Sequence, residues 1–153
     1  MRTITTETDF NEILSMSGRR ILGINPPVED FAFFDLWSKP AGLLYLLEKM
    51  RANGNEVSLI DCIHEAAVGK ISFGREKIGR VEIEKPPVYS GIKRKYYRFG
   101  LSEECVKERL ADIPRPDVIF LTSANHHFTN YSLLHQVGFN YSNLILLQVS
   151  SLH

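Results

Sequence analysis

Residues 20–61 contain three stretches in a telling order: RILGINPP (20–27), KPAGLLYLLEKMRANG (39–54) and NEVSLID (55–61). The first and third are short apolar runs bounded by turn residues, a pattern typical of buried strands. The second places leucines at helical spacing and ends in Asn-Gly, a usual helix stop. Strand, helix and strand in this order form a βαβ unit. The sequence therefore predicts an α/β fold built on a parallel sheet with flanking helices.

The first strand is expected to end at Asn25, because Pro26 and Pro27 lack the backbone N–H that a β-ladder needs. The chain must leave the sheet there, at the carboxyl edge. Open α/β sheets bind their ligands at this edge. A ligand site, if the chain has one, is predicted to start at Asn25.

A third apolar run, DVIFL at residues 117–121, also ends in polar residues. If the strands are ordered 2-1-3, the switch point of the sheet lies between strands one and three. The ends of those two strands would then flank one crevice. The sequence predicts a cofactor site there, lined through backbone groups and hydroxyls by Asn25, Pro26, Pro27, Thr122 and Ser123.

Two further residues are candidates for the same site. Gly42 lies in the first helical turn, where the missing Cβ would let the helix approach the strand or a ligand closely; plain close packing is the alternative. Asp61 ends the second strand, about where a dinucleotide-binding fold places its ribose-binding acid. The glycine-rich turn of that fold is absent, since the first turn is Asn-Pro-Pro, and a nicotinamide dehydrogenase is disfavoured.

The connection over residues 25–39 is long and rich in aromatic and acidic residues. These aromatics are consistent with the wall of a binding pocket or with a cap over the open end of the sheet. A short amphipathic helix over residues 9–16 is predicted to cover a sheet edge. A second helix is predicted to start at Ser102, a favourable N-cap, and to end before Pro114.

Residues 69–100 form a basic insertion, with nine lysines and arginines against three glutamates and a local net charge of +6. Prolines and glycines deny this segment a long regular element. Its interleaved aromatic residues (Tyr89, Tyr96, Tyr97 and Phe99) are of the type that stacks on bases. A single segment of this length is short for a nucleic-acid surface, so packing on a neighbouring domain is the favoured interpretation.

The composition narrows the class of protein. The chain of 153 residues carries 18 basic and 18 acidic residues, so its overall charge favours neither nucleic acid nor a membrane. Its first residues are polar and acidic, so we expect no signal peptide, and no run approaches the ~20 apolar residues of a membrane helix. Cys62 and Cys105 lie far apart and form no metal spacing. We therefore expect a cytoplasmic protein without catalytic or metal-ligating residues in its charged part.

Residues 124–153 contain no Asp, Glu, Lys or Arg, yet hold four of the five histidines. One interpretation is a shifted reading frame, so that a foreign peptide follows a truncated domain. Another is a divergent ending in which NLILLQV (143–149) forms a fourth strand. A metal site at His126, His127 and His135 is disfavoured, because no carboxylate or thiol accompanies the histidines.

Several motifs together resemble the N-terminal cobalamin-binding domain of cobalamin-dependent radical S-adenosylmethionine proteins. They are ILGINPP, the loop DFAFFDLWSKP, the helix GLLYLLEKMRANG and EVSLIDC, in that order. The later GIKRKYYRFGLS and RPDVIFLTS are similar to one subgroup of that family. The resemblance covers residues 19–123, and its specificity lies in the succession of motifs.

The resemblance implies a Rossmann-like or flavodoxin-like sheet, here incomplete, that holds cobalamin at its carboxyl edge. In the family, a following domain carries a CxxxCxxC motif, which binds an iron-sulfur cluster and S-adenosylmethionine; this chain has no such motif. It also lacks the DxHxxG motif of other cobalamin domains, because the run from Asp61 to His64 has the wrong spacing. The chain is thus expected to bind a corrinoid, to work with a radical S-adenosylmethionine domain and to catalyse nothing alone.

The sequence therefore divides the chain into three parts: an N-terminal extension (1–19), the cobalamin-binding-like domain (20–123, with the basic insertion) and an uncharged tail (124–153). Because only two helices are clearly predicted to cover the parallel sheet, we also expect marginal stability or self-association. The alternative function is a non-catalytic interaction module that docks on a protein or RNA partner through the basic insertion.

Overall fold

The computed structural model describes residues 2–3, 7–31, 39–70, 76–123 and 144–148. Its helices are α1 (Glu7–Leu14), α2 (Ala41–Ala52) and α3 (Glu103–Ala111). Its strands are β1 (Arg2–Thr3), β2 (Arg20–Asn25), β3 (Val28–Asp30), β4 (Glu56–Asp61), β5 (Ala67–Lys70), β6 (Glu76–Ile78), β7 (Arg80–Ile83), β8 (Tyr96–Phe99), β9 (Val118–Ser123) and β10 (Leu144–Gln148).

The main sheet has five parallel strands in the order β1-β10-β9-β2-β4. The predicted strands one, two and three are β2, β4 and β9, and they are ordered 2-1-3 as expected. The chain moves from β2 to β4 on one side and then crosses to β9 on the other. The predicted α/β fold, consistent with a Rossmann-like sheet, is confirmed, and its switch point lies between β2 and β9.

On the β9 side, the sheet continues with β10 and ends with β1. β10 pairs with β9 from Leu144 opposite Ile119 to Gln148 opposite Ser123, and β1 pairs with β10. The fourth strand predicted over residues 143–149 is therefore confirmed, and the sheet extends beyond the predicted bounds of 20–123. The tail histidines lie outside the described residues, and the foreign-peptide interpretation of residues 124–153 stays a prediction, since of that range the structure describes only β10.

Each face of the sheet is covered by helices. α3 buries Val106 and Leu110 against apolar side chains of β2, β4 and β9. On the other face, α2 buries four side chains, and Ile13 of α1 joins the same cluster. The expectation that the first helix covers a sheet edge is wrong, because Ile13 is fully buried on a face.

Close packing between helix and strand depends on Gly23 of β2. A Cβ at this position would lie 2.5 Å from Cδ1 of Leu47, on α2. Gly42 in α2 is exposed, and a Cβ there would meet no described atom within 4 Å. Among the described residues the strand, not the helix, supplies the closely packed glycine, and approach of Gly42 to a ligand stays a prediction.

The basic insertion folds into two small antiparallel elements. β5 pairs with β6, while β7 and β8 form a three-stranded sheet with β3, in the order β3-β8-β7. These strands have three or four residues each, as the prolines and glycines predicted. The three-stranded sheet is called the small sheet below.

Candidate functional site

A chain of hydrogen bonds joins the carboxyl ends of three neighbouring strands. Asn25 at the end of β2 donates from Nδ2 to Oδ1 of Asp61 on β4, at 2.8 Å. Thr122 on β9 donates from Oγ1 to Oδ1 of Asn25, at 3.1 Å. The second bond spans the switch point between β2 and β9. The structure thus brings Asn25, Asp61 and Thr122 together, as the strand order predicted.

Asp61 is held in place by the turn that follows β4. It is only 9% exposed, and its Oδ1 also accepts the backbone N–H of His64, at 3.1 Å. The Asp61 N–H donates to Oε1 of Glu65, whose Oε2 pairs with Arg109 of α3 at 2.9 Å. The bond from His64 holds the carboxylate of Asp61, and the bond to Glu65 holds its backbone N–H.

Two groups of this polar chain have no partner among the described residues. They are the second carboxylate oxygen of Asp61, Oδ2, and the second N–H of the Asn25 amide. Thr122, at 5% exposure, is satisfied by Asn25 and by the carbonyl of Ile24. A buried carboxylate oxygen and an amide N–H side by side can accept from and donate to the same ligand amide.

The small sheet is attached to the carboxyl edge beside this chain. Gly100, at the end of β8, has φ +109°, and a Cβ there would lie 2.9 Å from the carbonyl oxygen of Cys62 and 3.3 Å from Cα of Pro27. The N–H of Leu101 donates to the same Cys62 carbonyl, at 2.9 Å. Pro26 and Pro27 are both buried. The edge over β2 and β4 is therefore walled on one side by protein.

For two predicted site residues the structure describes no contact with this arrangement. A Cβ at Gly42, at the start of α2, would meet no described atom within 4 Å. Ser123 pairs through its backbone with Gln148, and its side chain lies outside the described part.

The start of the aromatic loop contacts the basic insertion. No local sequence pattern indicates this contact. The Phe31 ring contacts Tyr89 and Tyr96, with centroids 5.4 and 4.8 Å away. Arg98 forms an ion pair with Glu29 at 2.7 Å, across the β3–β8 pair. The other loop aromatics (Phe33, Phe34 and Trp37) lie outside the described residues, so the choice between pocket wall and cap stays a prediction.

Two of the aromatic residues of the insertion have no ring face open to a base. Tyr96 is 4% exposed and Phe99 1% exposed. Burial, together with nearby Glu29, raises the pKa of the Tyr96 hydroxyl to about 12. Stacking on nucleic acid needs an open ring face, so this interpretation of the two residues is wrong.

The two cysteines differ in their environments. Cys62 is fully buried, and burial, with Glu65 and Asp61 nearby, raises the pKa of its thiol to about 12. Cys105 is exposed in the first turn of α3, where its N–H donates to Oγ of Ser102, the predicted N-cap. The reactive species is the thiolate, so only Cys105 is expected to react in the folded protein.

We therefore predict that dithiobis-nitrobenzoate at about pH 8 modifies one thiol of the folded chain quickly and the second only when urea is added. Cys105→Ser should abolish the fast phase and Cys62→Ala the slow one. A fast phase that survives in Cys105→Ser would show that Cys62 is accessible.

A shallow depression of about 200 Å³ lies at the opposite, amino edge of the sheet. Its lining includes Arg20, Ser58 and Pro114. This edge therefore serves as a control surface for the carboxyl-edge site.

Among the described residues, no group of three or more His, Cys, Asp or Glu side chains is placed to hold a metal ion. No helix in the same part of the chain is long and apolar enough to cross a membrane. Comparison of the chain with models of known families, with curated proteins and with solved structures gives no match.

Proposed function

We propose that this chain is a cobalamin-binding-like α/β domain that holds a corrinoid at the carboxyl edge between β2 and β9. The observation that carries the proposal is the Thr122–Asn25–Asp61 chain across the switch point. Asn25 is the central residue, because its amide bonds to both neighbouring strands.

The unpartnered polar groups are compatible with the chemistry of a corrinoid. The rim of a corrin ring carries carboxamide side chains, which both donate and accept hydrogen bonds. The free N–H of the Asn25 amide can donate to such a carboxamide, and Oδ2 of the buried Asp61 can accept from it. Pro27 and Gly100 would supply an apolar wall beside them.

No described side chain at the switch point is a candidate ligand for cobalt. His64 is exposed and follows β4, on the side of β2 away from β9. The proposed domain would therefore hold the corrinoid by its rim. The corrinoid supplies cobalt-centred chemistry, whereas this chain's residues bind and orient it. We propose that a radical S-adenosylmethionine domain uses the bound cofactor, and that the chain acts in the cytoplasm.

The test is a spectroscopic titration with hydroxocobalamin. We expect a shift of the corrin absorption bands on binding, and a loss of affinity of about tenfold or more in Asn25→Ala, because a half-buried amide with polar partners on both sides is removed. Ser58→Ala, at the amino edge, is the matched control and should bind like the parent chain. Circular dichroism would confirm that Asn25→Ala is folded. No spectral shift in the parent chain, or equal weakening by both variants, would refute the proposal.

A second function is favoured by the surface of the basic insertion: docking on a partner macromolecule. Val81 and Val88 are 67% and 79% exposed, beside several exposed cations. Apolar side chains exposed on a charged surface are typical of interaction sites. Of the three consecutive cations, Arg94 donates to the Phe31 carbonyl and Lys95 pairs with Glu82, so Lys93 is the one whose reversal tests docking without breaking a described contact.

A further inference from the structure

The free edge of the small sheet is formed by β7. This strand pairs with β8 on one side and, within the described residues, with no strand on the other. Arg80, Val81 and Glu82 are exposed. An exposed edge strand presents a row of N–H and C=O groups that an extended peptide can complete.

The surroundings of β7 are strongly basic. Residues 77–98 carry seven lysines and arginines against two glutamates. Lys85 and Arg94 donate to the carbonyl oxygens of Ile92 and Phe31, which bind these cations without neutralising their charge. Lys77 and Lys93 are exposed as well. An acidic partner would find exposed positive charge, such as that of Lys77 and Lys93, next to the outer edge of β7.

Two observations favour a protein partner over a nucleic acid. Tyr96 and Phe99 are buried, so they offer no ring face to a base. Val81 is two-thirds exposed in the middle of the edge strand, where it can contact an apolar side chain of an added strand.

We propose that β7 docks an extended, acidic segment of a partner protein by strand addition, with Val81 as the apolar contact and Lys77 and Lys93 among the attracting charges. The inference rests on the docking function proposed above and names its partner class. Its test measures peptide binding at β7 and the corrinoid titration measures binding between β2 and β9, so either proposal can fail while the other holds.

The test uses a labelled, end-blocked peptide of about ten residues in which glutamate alternates with valine, as in an amphipathic strand. We expect its fluorescence anisotropy to rise on addition of the chain and hydrogen exchange of the β7 amides to slow. A peptide of the same sequence with alternate backbone nitrogens methylated keeps the charge but cannot pair, and it should not bind.

Charge variants complete the experiment. Lys93→Glu should weaken peptide binding at least about fivefold. Arg115→Glu, an equally exposed cation next to the amino-edge depression, is the control and should bind like the parent chain. Equal binding of the methylated peptide would overturn strand addition while leaving charge-driven docking. Tighter binding of a single-stranded RNA of matched charge would overturn the protein partner. No binding of any probe would overturn both strand addition and the docking function, and it would leave the result of the corrinoid titration unaffected.

Discussion

Replacing Asn55 with alanine is expected to lower the free energy of unfolding by about 2–4 kcal/mol, among the largest single losses in the chain. Asn55 is buried between α2 and β4, and its side chain serves three backbone groups. Its Oδ1 accepts the N–H of Arg19 at 3.0 Å, and its Nδ2 donates to the carbonyls of Met16 and Met50 at 2.9 and 2.8 Å. Alanine would leave the Arg19 N–H and the Met16 carbonyl without this partner, whereas the Met50 carbonyl keeps the backbone N–H groups of residues 53 and 55.

Asn53 offers a matched control two residues away. Its side chain also bonds a backbone carbonyl before β2, that of Leu14, but it is exposed, so water can replace the bond. Asn53→Ala should therefore cost about 1 kcal/mol or less. Urea unfolding followed by circular dichroism measures both variants. Equal losses would mean that burial of the Asn55 bonds contributes nothing to stability.

The core of the fold could be predicted because its residues carry local patterns. Apolar runs such as 21–24 and 118–121, the Pro26-Pro27 exit and the Asn53-Gly54 stop each reflect a rule that acts within a few residues. Gly54 indeed has φ +82°, as a helix end requires. The strand order 2-1-3 did not follow from these patterns; it was the condition under which the first and third strands flank one crevice.

The parts that the sequence did not reveal depend on contacts between distant residues. Asn55 looks like an ordinary turn residue until Met16 and Arg19 are placed beside it. β3 pairs with β8 across about seventy residues, which no local period encodes. The burial of Tyr96 has the same origin, since Phe31 packs on it, together with Tyr89, from a distant part of the chain.

The candidate site could be predicted from the sequence only in part. Topology alone placed Asn25 and Thr122 at one crevice, and the structure joins them by a hydrogen bond. The side chain of Asp61 could not be assigned from sequence, because a strand-end acid reads alike whether it binds a ligand or a neighbouring amide. Here it bonds Asn25 through one oxygen only, and the corrinoid titration tests what its other oxygen does.

The second large effect is expected at Gly100, where the small sheet joins the main one. Its φ of +109° is strained for any residue with a Cβ, and that Cβ would press on the backbone carbonyl of Cys62, which cannot rotate away. We expect Gly100→Ala to lose about 3 kcal/mol or more, because strain and clash add. The small sheet should also detach before the main sheet unfolds, since Leu101 would no longer reach Cys62.

Gly54→Ala separates the two causes. Gly54 also has a positive φ, +82°, but a Cβ there would meet nothing within 4 Å, so only the strain remains and a loss of about 1 kcal/mol is expected. Urea unfolding gives the two losses, and hydrogen exchange resolved by segment shows whether β8 opens first in Gly100→Ala. Because the small sheet walls the site beside Pro27, its release should also weaken hydroxocobalamin binding, whereas Gly54→Ala should leave that binding unchanged. Equal destabilisation by the two alanines would mean that the contact between Gly100 and Cys62 does not fix the small sheet to the carboxyl edge.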